Sequence, residues 1–204
     1  MKYGFIPRHF GLWLRELPKQ DLASGLLPLL TSQFLHGGWA HFFGNMWILW
    51  LFGDNVEDRL GHFPYLMLYL ISGIAASLTH YLFNAQSTVP AIGASGAIAG
   101  IMGAYLILFP YAKVVMMIPV LWIPFFFRVP AVTYIGIWFV GQFLLGVGDL
   151  ILPAQGGGVA WWAHVGGFLF GAIVVRVCIG KPSQRPVYPP YDPYERSRIR
   201  ERYR

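Results

Sequence analysis

Five long stretches of this chain are apolar and nearly free of Asp, Glu, Lys and Arg, and they constrain its fold more than any other feature. A helix that crosses a lipid bilayer needs about 20 mainly apolar residues. On that basis the sequence predicts five spans, at about 40–52, 63–83, about 94–109, 131–148 and 161 to about 179.

The composition agrees with a membrane environment. Only 12% of the residues are charged and 56% are hydrophobic, whereas an average soluble domain is roughly 25% charged. An ordinary water-soluble core is therefore excluded. We expect an all-α, polytopic membrane helical bundle over residues 1–180, followed at 181–204 by a disordered basic tail that is rich in Pro, Tyr and Arg.

Two further apolar segments are poor candidates for spans. Residues 114–127 are interrupted by Pro119 and Pro124, which favours a loop on the membrane surface. Residues 22–35 contain Pro28 and several polar residues, so they are predicted to pack at the outer interface. The first 20 residues contain no continuous apolar run of the kind found in a cleavable signal peptide.

The basic residues indicate the orientation. Seven of the 15 Lys and Arg residues lie between Lys181 and Arg204, while the loops at about 84–93 and 150–160 contain none. The positive-inside rule then places the tail in the cytoplasm and those loops outside, in what we expect to be the plasma (inner) membrane. The tail is expected to contact the lipid bilayer; nucleic-acid binding is disfavoured because no folded basic module accompanies it.

Four polar residues within or beside the spans are candidates for chemistry: His41, Asn45, Ser95 and His164. Polar groups inside a membrane are costly and are often functional. The first, third and fifth spans all enter from outside, so these side chains are predicted to lie at a similar depth. Small residues at helical spacing would let the third and fifth helices approach closely: Gly96, Gly100, Gly103, Ala163, Gly167 and Gly171.

This arrangement predicts a serine nucleophile activated by a histidine base, with an amide and an imidazole near the developing oxyanion. No carboxylate is suitably placed as a third member, so a dyad is expected, with the tautomer of His164 held by packing or backbone contacts. Helix packing by the Gly-Ala-Ser-Gly segment and a simple hydrogen-bond pair of His41 and Asn45 remain alternatives. A channel or transporter is disfavoured, because the polar residues cluster at one depth.

Four segments of the chain resemble those of a known family. FLHGGWAHFFGN (34–45), GASG (93–96), AHVGGFLFG (163–171) and VEDRLG (56–61) are similar to the motifs of rhomboid intramembrane serine proteases. The resemblance implies a helical bundle that cleaves transmembrane protein substrates without a metal or cofactor. It also implies that Ser95 is the nucleophile, His164 the general base, and His41 and Asn45 the oxyanion-stabilising side chains.

The chain departs from the family pattern in two places. The usual rhomboid core has six spans, and the first precedes the segment that begins here at Met1. We expect that span to be lacking here, either because the true start lies upstream of Met1 or because this member has lost it. At Ala99 some members carry an aromatic side chain that packs on the histidine, which predicts a different positioning of His164 here. A catalytically silent rhomboid-like protein that binds membrane clients is the alternative function.

Overall fold

The computed structural model describes residues 3–16, 21–152 and 159–179. Seven α-helices and one β-hairpin occupy these ranges, and the predicted tail at 181–204 lies outside them. In chain order the elements are α1 (Pro7–Arg15), α2 (Leu22–Thr31), α3 (Trp39–Leu60), α4 (His62–Asn84), α5 (Ser95–Leu108), β1 (Lys113–Val120), β2 (Ile123–Pro130), α6 (Ala131–Ile151) and α7 (Trp161–Cys178).

Each of the five predicted spans forms a helix, which confirms the helical membrane bundle. Within the described residues, α4, α6 and α7 are long and apolar enough to cross a membrane. The other two differ from a simple span in different ways. Helix α5 is apolar but has only 14 residues, whereas α3 has 22 residues but ends in a charged segment.

The first predicted span was too short at its C-terminal end. It was predicted to end at about residue 52, just before the charged residues that begin with Asp54, but α3 continues to Leu60. The helix can continue because Asp54 is exposed while Val56 is fully buried. Charged residues therefore occupy one face of the last turns, and the opposite face still packs on the bundle.

Helix α5 lies at the centre of the bundle, and its packing against α7 is unusually close. A Cβ atom built on Gly171 would overlap the carbonyl oxygen of Gly100, and one built on Gly167 would overlap that of Gly96. Glycine at these positions lets the two backbones touch, as small residues do in membrane helix pairs. On the other side, the rings of Phe52 on α3 and Tyr105 on α5 meet edge to face with centroids 4.9 Å apart.

Residues 113–130 form an antiparallel β-hairpin, so the predicted surface loop was wrong about the structure of this segment. Pro119 lies opposite Pro124 in the register. Proline cannot donate to a β-ladder, but a two-stranded hairpin has free edges where no donor is needed. The turn residues Leu121 and Trp122 have φ angles of 47° and 70°, the left-handed conformation of a two-residue hairpin turn.

The segment before α3 braces the loop that leads into α5. Residues 22–35, predicted to pack at an interface, form α2 and a short 3₁₀ turn over Ser32–Phe34. The backbone of Phe5 pairs with Ala91 through hydrogen bonds of 3.2 and 2.8 Å, and Gly93 N–H donates to the Ser32 carbonyl at 2.9 Å. These two sets of backbone hydrogen bonds hold the residues just before Ser95 in place.

Candidate active site

Ser95 and His164 lie at the same end of the bundle because α5 and α7 both begin there. Ser95 is the first residue of α5, and His164 lies in the first turn of α7. The close glycine contacts between these helices bring the side chains together, with His164 Nε2 2.8 Å from Ser95 Oγ. A base within this distance of a hydroxyl can take its proton.

The His164 ring is held on its other side by helix α6. His164 is 8% exposed, and its Nδ1 lies 2.6 Å from Oε1 of Gln142. The ring of Trp138, one turn earlier on α6, has its centroid 6.0 Å from that of His164, and Trp161 lies 6.4 Å away at 82°. Ala99 is fully buried and carries no ring, so two tryptophans and an amide surround the imidazole here.

His41 and Asn45 project from one face of α3 toward the loop before Ser95. A Cβ atom built on Gly93 would lie 2.7 Å from Cε1 of His41 and 3.7 Å from Nδ2 of Asn45. Gly93 also has a φ angle of 127°, which residues with a side chain rarely adopt. Glycine at this position therefore lets both side chains approach the backbone two residues before Ser95.

The hydrogen bonds of these two side chains leave donors available. The Gly37 N–H donates to Nδ1 of His41 over 3.4 Å, so a neutral ring carries its proton on Nε2, the nitrogen near Gly93. Asn45 is 9% exposed, and its Nδ2 has no acceptor among the residues that the structure describes. An unpaired buried amide is costly, and this one lies close to the Ser95 loop.

Two other histidines lie near the site without joining it. The His36 ring packs edge to face on His41 with centroids 5.3 Å apart. Burial, and next the neighbouring His41, lower the pKa of His36 below its ordinary value. Nδ1 of His80 lies 3.3 Å from Nδ2 of Asn84.

A cavity of about 660 Å³ opens beside Ser95 and His164. Its walls come from α3, α5, α6 and the loops that precede α5 and α7, and they are mostly apolar. The wall residues beyond the four predicted ones include Gly44, Ile48, Ile98, Met102, Tyr134, Trp138 and Ala160. Over the described ranges, no group of three or more His, Cys, Asp or Glu residues is arranged to hold a metal ion.

Gln142 and Trp138 were not among the site residues predicted from the sequence. We expected packing or backbone contacts to hold the His164 tautomer, whereas a side chain on α6 contacts Nδ1. A signal was present, because Gln142 is a polar residue within the apolar segment predicted as the fourth span. Its connection to His164 could not be read, since 22 residues separate them and the rotation of α6 about its axis is not encoded in the hydropathy pattern.

Comparison with known proteins identifies the family. The Rhomboid domain matches residues 23–181. The chain is 31% identical to Rhomboid protein 1, mitochondrial, of Saccharomyces cerevisiae, over 80% of this chain and 48% of that protein. It is 33% identical to RHOMBOID-like protein 4 of Arabidopsis thaliana, over 76% of this chain and 34% of that protein.

A third relative is the Rhomboid protease GluP of Bacillus subtilis, which is 44% identical over 38% of this chain and 15% of its own length. The chain thus spans about half, or less, of the length of these relatives. The matched domain covers both helices that carry Ser95 and His164 and most of the described structure. The chain is a multi-pass membrane protein that belongs to the rhomboid family.

Proposed function

We propose that this chain is an intramembrane serine endopeptidase that cleaves peptide bonds in or near transmembrane segments of other membrane proteins. The observation that carries the proposal is the 2.8 Å contact between Ser95 Oγ and His164 Nε2 beside a cavity. A serine hydroxyl is a weak nucleophile until a base takes its proton. The rhomboid relatives, one of them named a protease, support the same reaction class.

In the proposed reaction, His164 Nε2 accepts the Ser95 proton as Oγ attacks the scissile carbonyl carbon. The resulting imidazolium then donates that proton to the leaving amine, and the peptide bond breaks to give an acyl-enzyme. Water attacks the ester in the second half of the cycle, again with His164 as base, and Ser95 recovers its proton. Each step balances with these two side chains and water, so the proposal includes neither a metal nor a cofactor.

His41 and Asn45 are proposed to stabilise the oxyanion of the tetrahedral intermediate. The Nε2–H of His41 and the unpaired Nδ2 of Asn45 both lie near Gly93. The first N–H groups of α5, including that of Ser95, have no acceptor within the helix. A preorganised donor that is unpaired in the free enzyme loses nothing when the oxyanion forms, which favours the transition state over the ground state.

The proposed substrates are transmembrane proteins with a segment that unwinds locally. A helix in a membrane satisfies its own carbonyl groups and hides them from attack. An extended stretch must therefore enter the cavity of about 660 Å³ before Ser95 can reach a carbonyl. This requirement favours segments with small or helix-weakening residues near the cleaved bond.

We propose that the site faces outward in the plasma membrane and that the tail is cytoplasmic. Lys113 and Arg128 lie at the base of the hairpin, at the end of α5 opposite Ser95. Positive charge favours the cytoplasmic side. In a variant whose exposed Cys178 is replaced by serine, a cysteine introduced after residue 185 should react with a membrane-impermeant reagent only from inside; reaction only from outside would reverse the orientation.

Cleavage of a transmembrane reporter by the purified protein in lipid vesicles tests the proposed reaction. Ser95→Ala and His164→Ala should each abolish cleavage, because each removes one member of the reacting pair. Matched controls are Ser77→Ala, a buried serine on α4, and His80→Ala, which should retain activity. Cleavage that persists in both dyad variants would overturn the proposal, and a wild-type protein that binds the reporter without cleaving it would favour the silent client-binding alternative.

Asn45→Ala tests the oxyanion role. Loss of one preorganised donor is expected to lower kcat by about 10² to 10³ with little change in KM, as for other oxyanion donors. Steady-state kinetics on the same reporter would measure this. An unchanged kcat in a folded Asn45→Ala protein would remove Asn45 from the site and return it to helix packing.

A further inference from the structure

We propose that Gln142 is a positioning residue that fixes the tautomer and orientation of His164. The catalytic consequence rests on the proposed endopeptidase function, but the tautomer can be measured without it. The supporting geometry is the 2.6 Å contact between Gln142 Oε1 and His164 Nδ1, on the side of the ring opposite Ser95.

The two contacts of His164 require one particular tautomer. If the Ser95 hydroxyl donates to Nε2, that nitrogen must carry a lone pair, so the neutral ring must hold its proton on Nδ1. The Oε1 atom of Gln142 is an acceptor only, and it can pair only with a protonated Nδ1. The amide therefore stabilises the tautomer in which Nε2 can act as a base, and disfavours the one in which it cannot.

Burial makes this contact necessary. His164 is 8% exposed, so water cannot readily satisfy an Nδ1–H that lacks a protein partner, and an unpaired donor in that position costs free energy. Without Gln142, the ring would gain by rotating or by moving its proton to Nε2. Either change would remove the lone pair that faces Ser95.

An amide is also the acceptor that a membrane site can accommodate. An ionised carboxylate in the same place would stabilise the imidazolium more strongly, but burying its charge beside lipid is expensive. Gln142 is half-buried on α6, whose neighbouring Val140 and Leu144 are exposed. A neutral amide supplies the hydrogen bond without the cost of a buried charge.

The His164 ring is positioned by contacts between α5 and α7 and by contacts from α6. The glycine contacts of α5 and α7 set the distance from Ser95 to His164. Helix α6 supplies Gln142 to Nδ1 of His164, on the side of the ring opposite Ser95, and it also supplies Trp138, whose ring centroid lies 6.0 Å from that of His164. Helix α6 thus sets the rotation and protonation site of the imidazole, while α5 and α7 set its distance from the serine.

The tautomer can be read by ¹⁵N NMR of the purified protein labelled at its six histidines, with the His164 signal identified by its loss in His164→Ala. We expect wild-type His164 at neutral pH to be protonated on Nδ1. In Gln142→Met, which keeps the side-chain length but removes the acceptor, we expect a substantial share of the Nε2-protonated form. Val140→Met places methionine on the exposed side of α6 instead, and its His164 signals should be the same as those of the wild-type protein.

Two results would overturn the inference. One is a wild-type His164 that is protonated on Nε2. This result does not depend on whether any variant folds. The other is a Gln142→Met protein whose His164 remains wholly protonated on Nδ1. A purely structural role for Gln142 would change the melting temperature but leave the tautomer as it is.

Steady-state kinetics test the catalytic consequence of the contact between Gln142 and His164. Gln142→Met should lower kcat about tenfold with KM nearly unchanged, as expected for one net hydrogen bond of about 1 to 1.5 kcal/mol. Gln142→Glu restores an acceptor oxygen for Nδ1–H but adds a buried charge, so it should recover most of the kcat while lowering the melting temperature. A kcat as low as that of Gln142→Met in a folded Gln142→Glu protein would contradict the role. If the wild type cleaves nothing, the proposed function fails, while the NMR spectra still decide the tautomer.

Discussion

The α5–α7 contact and the β1–β2 hairpin are both built from apolar residues, but they differ in how far the side chains of those residues are buried. In the helix pair, Ala99 and Ala104 are fully buried and glycine carbonyls take the place of side-chain contacts. In the hairpin, the side chains of Leu121 and Trp122 are 87% and 97% exposed. Both regions are hydrophobic, but the side chains at the hairpin turn contact little of the protein, and only residues nearer the hairpin base, such as Val114, pack against the core.

Side-chain size explains the difference better than apolar character does. Lipid tails are as apolar as leucine, so membrane helices gain little by hiding large side chains from lipid. They gain by close backbone packing, which requires glycine and alanine. Large apolar residues can then remain on outer surfaces, and the small ones mark the interface that positions Ser95 and His164.

Gly171→Ala should disrupt the α5–α7 contact and produce the largest effect of the substitutions compared here. The added methyl would overlap the carbonyl of Gly100, so α5 and α7 must separate, and a misplacement on the order of 1 Å can lower a rate by about 10²-fold. Overpacking should also destabilise the fold by about 1 to 3 kcal/mol. Reporter cleavage and thermal unfolding in detergent would measure both.

Gly136→Ala on α6 is the matched control, because a Cβ atom there would meet nothing within 4 Å. Alanine favours a helix over glycine by up to about 1 kcal/mol, so this variant should be slightly more stable and fully active. If Gly171→Ala behaved like Gly136→Ala, the distance between Ser95 and His164 would not depend on the glycine contact.

Trp122→Gly should have a smaller effect than Gly171→Ala, since it changes the exposed turn of the β1–β2 hairpin. The Trp122 side chain contacts little of the protein, and its φ of 70° suits glycine better than tryptophan. Relief of this left-handed strain should offset any loss, leaving cleavage within about twofold of wild type, as for other exposed substitutions. A loss greater than tenfold would show that the hairpin contributes to the site, and would weaken the contrast between the two regions.

The helices were predictable because hydropathy and length carry the signal for spans. Helix α4 was predicted at 63–83 and runs over His62–Asn84, and α5 was predicted at about 94–109 and runs over Ser95–Leu108. The hairpin was not predictable in the same way. Its turn lacks the glycine or asparagine that normally marks positive φ angles, and Pro119 and Pro124 suggested an irregular segment.

The candidate site was predictable in part. The four polar residues and the glycine spacing were visible, and span direction placed them at one end of the bundle. Gln142 could not be linked to His164, because which side of α6 faces α7 depends on packing rather than on its own sequence. The contacts around Gly93 likewise depend on the path of a loop that is braced by backbone hydrogen bonds to Phe5, Arg8 and Ser32.

Covalent labelling of Ser95 tests the central claim most directly. A fluorophosphonate reacts only with a serine whose hydroxyl is activated by a base, and mass spectrometry of the labelled protein locates the modified residue. We expect the label on Ser95 of the wild-type protein in lipid vesicles, and none there in His164→Ala. Labelling of Ser95 that is equally fast without His164, or a wild-type Ser95 that stays unlabelled while the protein is folded, would contradict the proposed pair.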